Sequence, residues 1–192
     1  MERGYMKKYC KLLKEKDKEI LQLKKELVVW RKQASLDQMT GTMNKIEGFK
    51  KLQCEMKRAL ITKENITVAF IDIDRLKEVN DRLGHCAGDQ LLVDVSNILK
   101  RNVRKEDFIF RFGGDEFVVV FPNTEQFQAK KIWVRICNKI EKFNTQRNLM
   151  YSISLSAGFY EYCYNKKLTL KEFIQLADLD MYREKCQKQK EF

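Results

Sequence analysis

Asp115 and Glu116 stand side by side, directly after Gly113 and Gly114 and directly before the apolar run 117–121. Two adjacent carboxylates on a tight turn repel each other unless a cation bridges them or one is protonated. Hard carboxylate oxygens with room for phosphates suit Mg²⁺, with Mn²⁺ an acceptable substitute. A second pair, Asp72 and Asp74, ends the apolar run 68–73. Period-2 strand geometry puts both on one face. If that strand lies beside the 108–121 segment, Asp72 and Asp115 converge. Carboxylates gathered on neighbouring strands are a scaffold for metal-assisted phosphoryl transfer. Taken alone, the Gly-Gly-Asp-Glu tetrad also fits an ordinary solvated turn, because Gly and Asp are common turn residues.

The elements that must position these carboxylates can be read from apolar periodicity. Residues 44–61 read as helix, 66–73 as a buried strand, and 87–102 as a helix with Leu91, Leu92, Val95, Ile98 and Leu99 on one face. A hairpin spans 108–121. Its Gly113-Gly114 turn is expected to use the glycine freedom for positive φ, and Pro122, the only proline, closes it. Residues 125–143 read as helix, 152–160 as strand and 170–187 as a closing helix. The turn at residues 74–77 offers backbone N–H groups that can cradle phosphates. Helices mixed with a hairpin-containing sheet indicate α/β layers.

Residues 1–35 are a different kind of sequence. Tyr9, Lys16, Leu23 and Trp30 fall seven apart, and Met6, Leu13, Ile20, Leu27 and Ala34 interleave with them. That is the a/d pattern of a parallel dimerising coiled coil, with Lys16 as the polar register-setting position. A single amphipathic helix packed on its own domain is the other reading. The sequence therefore divides into a helix at 1–35 and a domain at 36–192.

The formal net charge is +11 over 192 residues. In residues 1–35 the lysines are interspersed with acids, as on a solvated helix exterior, and no nucleic-acid motif accompanies them. A polyanionic substrate accounts for local positive charge without nucleic acid. The six cysteines (Cys10, Cys54, Cys86, Cys137, Cys163 and Cys186) have neither metal nor disulfide spacing, which suits a reducing, cytoplasmic setting. No leader-like apolar segment and no run of spanning length is present, so no membrane insertion is expected.

Several ordered motifs together resemble the GGDEF family of diguanylate cyclases. They are Asp37-Gln38-Met39-Thr40-Gly41 with Asn44, residues 70–81, Gly84 to Asp89, Arg111 to Phe117, Ser154 to Gly158, and Ala177-Asp178 with Met181, Tyr182 and Lys185. The match runs from about Leu36 to Lys185. The resemblance implies a palm-like sheet of the nucleotide-cyclase type. It implies an enzyme condensing two GTP into cyclic di-GMP with release of pyrophosphate, at the interface of two facing protomers.

The same resemblance distributes roles. Asp72, the carbonyl of Ile73, Asp115 and Glu116 are implied as Mg²⁺ ligands, with Asp115 or Glu116 as the base. Lys77 is implied to face phosphates, and Gly113, Gly114 and Lys185 to bind substrate. Asn80 and Asp89 are implied to read guanine, whose N1–H and N2–H₂ donors a carboxylate can accept together, whereas adenine offers no such pair. Arg104 and Asp107 fit an RxxD site through which cyclic di-GMP inhibits.

The chain departs from the family where its Lys-x-x-Gly-Arg-Asn stretch would lie. The glycine is Lys188 and the phosphate-clamping arginine is Gln189. Thr42 and Lys45 replace the commoner leucine and arginine of the early motif, and Asp180 replaces a small residue. The alternative function is a non-catalytic GTP or cyclic di-GMP receptor acting through its coiled coil.

Overall fold

A computed structural model describes residues 16–24, 26, 27, 30, 34–146 and 150–190. They fall into two units, Met1–Leu36 and Asp37–Phe192. Wherever it is described up to residue 34, the first unit is helical. Lys16 pairs with Glu19 at 2.7 Å and Gln22 Nε2 donates to Glu26 at 2.9 Å along its surface. Ile20, Leu23, Leu27 and Trp30 are all exposed. Met6, Tyr9 and Leu13 lie outside the described residues.

In the second unit, α1 (Lys45–Thr62) starts where the Asn44 side chain accepts from Glu47 N–H at 3.0 Å, and it ends on Lys63 in the left-handed region. Strand β1 (Ile66–Ile73) follows, then two helices, α2 (Leu76–Leu83) and α3 (His85–Asn102). Strands β2 (Phe108–Arg111) and β3 (Glu116–Pro122) form the hairpin. Helix α4 (Gln126–Gln146), strand β4 (Leu155–Tyr162) and helix α5 (Leu170–Lys190) complete the order.

The four strands form one antiparallel sheet in the order β2-β3-β1-β4. Every β1 residue is buried because both sheet faces are covered. Ala69, Ile71 and Ile73 join Leu91, Val95 and Leu99 of α3 and Ile132 and Ile136 of α4 in one core. Val68 and Phe70 join Leu52 and Met56 of α1 and Phe173, Ala177 and Met181 of α5 in the other. Alternation along β1 then carries Asp72 onto the α1/α5 face, at the strand's end.

Helix α5 lies close on edge strand β4. A Cβ at Gly158 would enter the backbone of Ala177, Asp180 and Met181. The outer edge of β4 is satisfied by one stripe of the same helix. Asp180 accepts from Phe159 N–H at 2.8 Å, Glu184 accepts from Ala157 N–H at 3.1 Å, and Lys188 donates to the Leu155 carbonyl at 2.5 Å. Side chains thereby cover an edge that would otherwise offer unpaired backbone groups.

Several boundaries differ from the sequence reading, the ends of α4, β4 and α5 by two or three residues. Helix α2 is additional: it is only eight residues long, too short for its period to be legible, and it begins after Arg75 in the left-handed region. The expected 74–77 turn is therefore a bend at 74–75 followed by the first helical turn. Helix α3 starts at His85, and β4 starts at Leu155. Residues preceding β4 are held instead by the Asn144 amide, which donates to the Ile153 carbonyl and accepts from Ile153 N–H, each at 2.8 Å.

Candidate active site

Strand pairing sets Asp72 directly opposite Glu116 on β3 and Ser156 on β4. Asp72 is buried, and its Oδ1 accepts from Lys185 Nζ at 2.6 Å. Ile73 N–H donates to the Asp115 carbonyl at 3.1 Å, which ties the end of β1 to the loop before β3. Asp74 accepts from Ser154 Oγ at 2.6 Å and Ser156 Oγ at 2.8 Å, so it braces β1 against β4. Asp72, Ile73, Asp115, Glu116 and Lys185 are thus gathered at one end of the sheet.

The electrostatics follow from that crowding. Burial pushes the Asp72 carboxyl up, and Asp115 and Asp74 add to the push against the opposing pull of Lys185. Burial also raises Glu116, reinforced by Asp115, Asp178 and Asp72 and opposed by Lys45. Lys185 is raised: burial disfavours its charge, but Asp72, Asp74 and Asp115 outweigh burial. Both partners of the ion pair are raised, whereas pairing alone would raise Lys185 and lower Asp72. Burial and two neighbouring carboxylates explain it: one ammonium does not balance this cluster.

Gly113 and Gly114 do not have the positive φ expected of a hairpin turn; among the described residues the positive-φ glycines are Gly41 and Gly84. Space is what they provide. A Cβ at Gly113 would collide with the Glu116 carboxylate, and nothing lies within 4 Å of the Cβ position at Gly114. The loop is closed by Phe112 N–H donating to the Glu116 carbonyl at 2.8 Å. Glu116 is accordingly the first residue of β3, and Asp115 alone occupies the loop.

Arg111 was not singled out as a functional residue by the sequence. Its Nε and Nη2 donate to the carbonyls of Gly113 and Gly114 at 3.2 and 2.7 Å, and its Nη1 donates to Asp37 Oδ1 at 3.2 Å. Asp37 also accepts from Thr40 N–H and Oγ1, at 2.9 and 2.7 Å. Burial would raise the Asp37 carboxyl, but Thr40 and Arg111 hold it below the usual range. Lys45 stands 3.6 Å from the centroid of the Phe112 ring, which packs against Phe49 and Phe70. The start of the domain is therefore wired to the carboxylate loop. A carboxylate at 37 with Thr three residues on, and an Arg before Gly-Gly, was the available signal.

The remaining residues sit around this centre. Lys77 is exposed on the first turn of α2. The Asn80 amide lies against Gly88 of α3, where a Cβ would strike it, and exposed Asp89 follows at the same α2–α3 junction. Gly84, at φ 85°, makes the corner between the helices. Arg104 and Asp107 are apart from the carboxylate cluster, in the loop before β2. Asp107 is buried and accepts from Arg104 N–H at 2.8 Å; burial raises its carboxyl, against the pull of Arg104. A cavity of about 600 Å³ borders Lys185 and Lys188, with Arg75, Arg82, Val79 and Tyr151 in its wall.

Among the described residues, no three carboxylate, histidine or cysteine side chains stand ready to hold a metal ion by themselves. The donor set nevertheless fits Mg²⁺. Its oxygens are hard, their charge is uncompensated, and the Lys185 ammonium already stands in as a cation on Asp72. Mg²⁺ is usually held by one or two carboxylates plus substrate phosphates and water, not by an all-protein cage.

A family profile described as "Diguanylate cyclase, GGDEF domain" matches residues 34–191. Diguanylate cyclase DosC of Escherichia coli is 31% identical over 166 residues, which is 85% of this chain and 36% of that protein. Diguanylate cyclase A of Treponema denticola is 33% identical over 128 residues, 64% of this chain and 33% of that protein. The chain thus spans about a third of the length of these relatives. Among solved structures, the coiled coil and GGDEF domain of DgcB from Caulobacter crescentus, in complex with cyclic di-GMP, superposes with a TM-score of 0.81 at 25% identity, covering 90% of this chain and 92% of that one. The GGDEF domain of TpbB from Pseudomonas aeruginosa gives 0.71 at 33% identity, covering 79% and 89%.

The crowded carboxylates make a stability prediction. Because the folded state raises the pKa of Glu116, its ionised form costs stability above that pKa, and the cost vanishes once pH falls below the ordinary glutamate value of about 4.3. In metal-free buffer Glu116→Gln should therefore raise the melting temperature at pH 7 by about 2 °C, a modest gain because water screens this partly exposed group. The gain should fade on acidification towards pH 4. A variant that melts below wild type at pH 7, or gains more in acid, contradicts the electrostatic reading.

Proposed function

Because the chain belongs to the GGDEF family of diguanylate cyclase domains, we propose that it condenses two GTP molecules into cyclic di-GMP. The observation that carries this reading is the register of β1 and β3, which sets Asp72 against Glu116 beside Asp115. In each half-reaction a 3′-hydroxyl attacks the α-phosphorus of the other GTP. A new P–O bond forms, the bond to the β-phosphate oxygen breaks, and pyrophosphate leaves. Two such steps close the ring.

The chain's own residues divide that work. Asp72, the Ile73 carbonyl, Asp115 and Glu116 hold Mg²⁺ or Mn²⁺, which when bound supplies a Lewis acid for phosphate oxygens. Asp115 or Glu116 takes the 3′-hydroxyl proton. Lys77 and Lys185 place positive charge on the phosphates, where negative charge develops. Gly114 leaves the open approach that a nucleotide needs. Asn80 and Asp89 select guanine, since ATP would leave the carboxylate without its two donors.

Purified chain with GTP and Mg²⁺ should yield cyclic di-GMP and pyrophosphate on chromatography, and Asp115→Asn should lower turnover by at least about a hundredfold with the fold retained. In competition with ATP, Asp89→Ser should relax the preference for GTP. GTP binding without any turnover would favour a receptor role and sink the enzymatic one.

We also assign Arg104 and Asp107 to an inhibitory product site. Arginine and aspartate complement guanine edges and phosphate, and the pair lies outside the carboxylate cluster. The relative DgcB was solved with cyclic di-GMP, which supports a product site in the family without locating it here. Arg104→Ala should lift inhibition by added cyclic di-GMP; equal inhibition of both proteins places regulation elsewhere.

One site holds one GTP, so two domains must face each other. Residues 1–35 act as the tether that raises their effective concentration, through the exposed Ile20, Leu23 and Leu27 seam. Placing Asp at Ile20 and Leu27 should make specific activity climb with enzyme concentration, while the unaltered chain reaches its plateau early. Concentration-independent activity in a variant that sediments as a monomer excludes the two-chain mechanism.

A further inference from the structure

Lys185 has two claims on it. In this structure its ammonium sits on Asp72 at 2.6 Å, yet the reaction proposed above needs it on the triphosphate. We propose that Lys185 is an exchangeable cation that occupies Asp72 until nucleotide draws it away, so that metal and nucleotide bind as a coupled pair. This inference rests on the assignment of Asp72 as a metal ligand and goes beyond it.

The geometry supports exchange by the side chain alone. Helix α5 is fixed in register on β4 by Asp180, Glu184 and Lys188, which meet Phe159 N–H, Ala157 N–H and the Leu155 carbonyl. Gly158 lets the two backbones touch. A sliding helix would break all of these contacts, whereas a lysine stem of four methylenes can swing its charge across several ångströms. Neighbouring Lys188 pairs with Glu184 at 3.0 Å and with the Leu155 carbonyl, and of the cluster it meets Asp74, at 4.0 Å, rather than Asp72. Among the described residues, Lys185 is the cation paired with Asp72.

The energetics give the coupling its sign. Without nucleotide, a divalent ion must displace a partly buried ammonium that would be left facing it as a like charge. A triphosphate offers that ammonium a stronger partner and releases Asp72 at the same time. Each ligand then raises the affinity of the other by the same factor, as linkage requires. The pair also keeps the carboxylate cluster partly neutralised in the empty enzyme. Charge on α5 thus acts as a substitute metal.

The test reads metal binding directly, without turnover. The full chain is titrated with Mn²⁺ and followed by the electron paramagnetic resonance of the free ion. Titrations are run with and without a GTP analogue carrying methylene in place of the α–β bridging oxygen. Wild type should bind Mn²⁺ weakly alone and more tightly with the analogue. Lys185→Met should raise nucleotide-free affinity about tenfold, the effect of releasing one ion pair, and should shrink the gain from the analogue. Lys185→Arg, which keeps the charge, should bind like wild type. Melting curves establish that each variant is folded. Unchanged nucleotide-free affinity in both Lys185→Met and Lys185→Gln overturns the exchange. Asp72→Asn separates the two levels: loss of Mn²⁺ there supports the metal assignment whatever Lys185 does, and unaltered binding overturns that assignment and the exchange with it.

Discussion

Antiparallel pairing of β1 with β3 is the constraint on which the rest of the site depends. It sets Asp72 opposite Glu116 at the end of a face that is otherwise apolar core. Carboxylates forced together at the rim of a low-dielectric layer resist ionising together. The fold holds them there through two buried sheet faces, so relieving the repulsion by separating the strands would cost core burial. The site's affinity for positive charge is consequently built in: Lys185 supplies one charge, Lys45 acts from further away, and a divalent ion would supply more.

Supporting contacts keep the cluster in place from three directions. Asp74 bridges to Ser154 and Ser156 on β4. Arg111 holds the carbonyls of Gly113 and Gly114 and reaches back to Asp37. Helix α5 is held against β4 at Gly158 and along the Asp180, Glu184 and Lys188 stripe. Asp180 and Lys188 complete the edge of β4 and so hold in place the helix that carries Lys185.

Much of this was legible in the sequence, and the exceptions share a cause. The alternating and continuous apolar runs gave β1 to the residue, and they placed both hairpin strands, α3 and α5 to within a few positions. Asp72 and Asp115 were expected to converge, and they meet at one sheet end. Helix α2 escaped notice because eight residues hold only two turns of period. At Gly113 a glycine's identity does not reveal whether it serves φ or room; its φ is not positive, and a Cβ there would meet the Glu116 carboxylate in its present rotamer. Arg111, the Asp180 edge contact and the Lys185–Asp72 pair depend on which long-range partners the topology supplies. Local pattern carries no information about partners 74 or 113 residues away.

The central claim is that the β1–β3 carboxylate cluster is where metal and nucleotide meet. The most direct test is paramagnetic broadening in the two-dimensional amide spectrum of isotopically labelled protein, with a non-hydrolysable GTP analogue bound and Mn²⁺ added in small increments. The account predicts that amides of residues 72–74 and 113–116 broaden first, while those of residues 104–107 stay sharp at the same Mn²⁺ level. Persistence of sharp signals at residues 72–74 and 113–116, with broadening centred elsewhere, would contradict it.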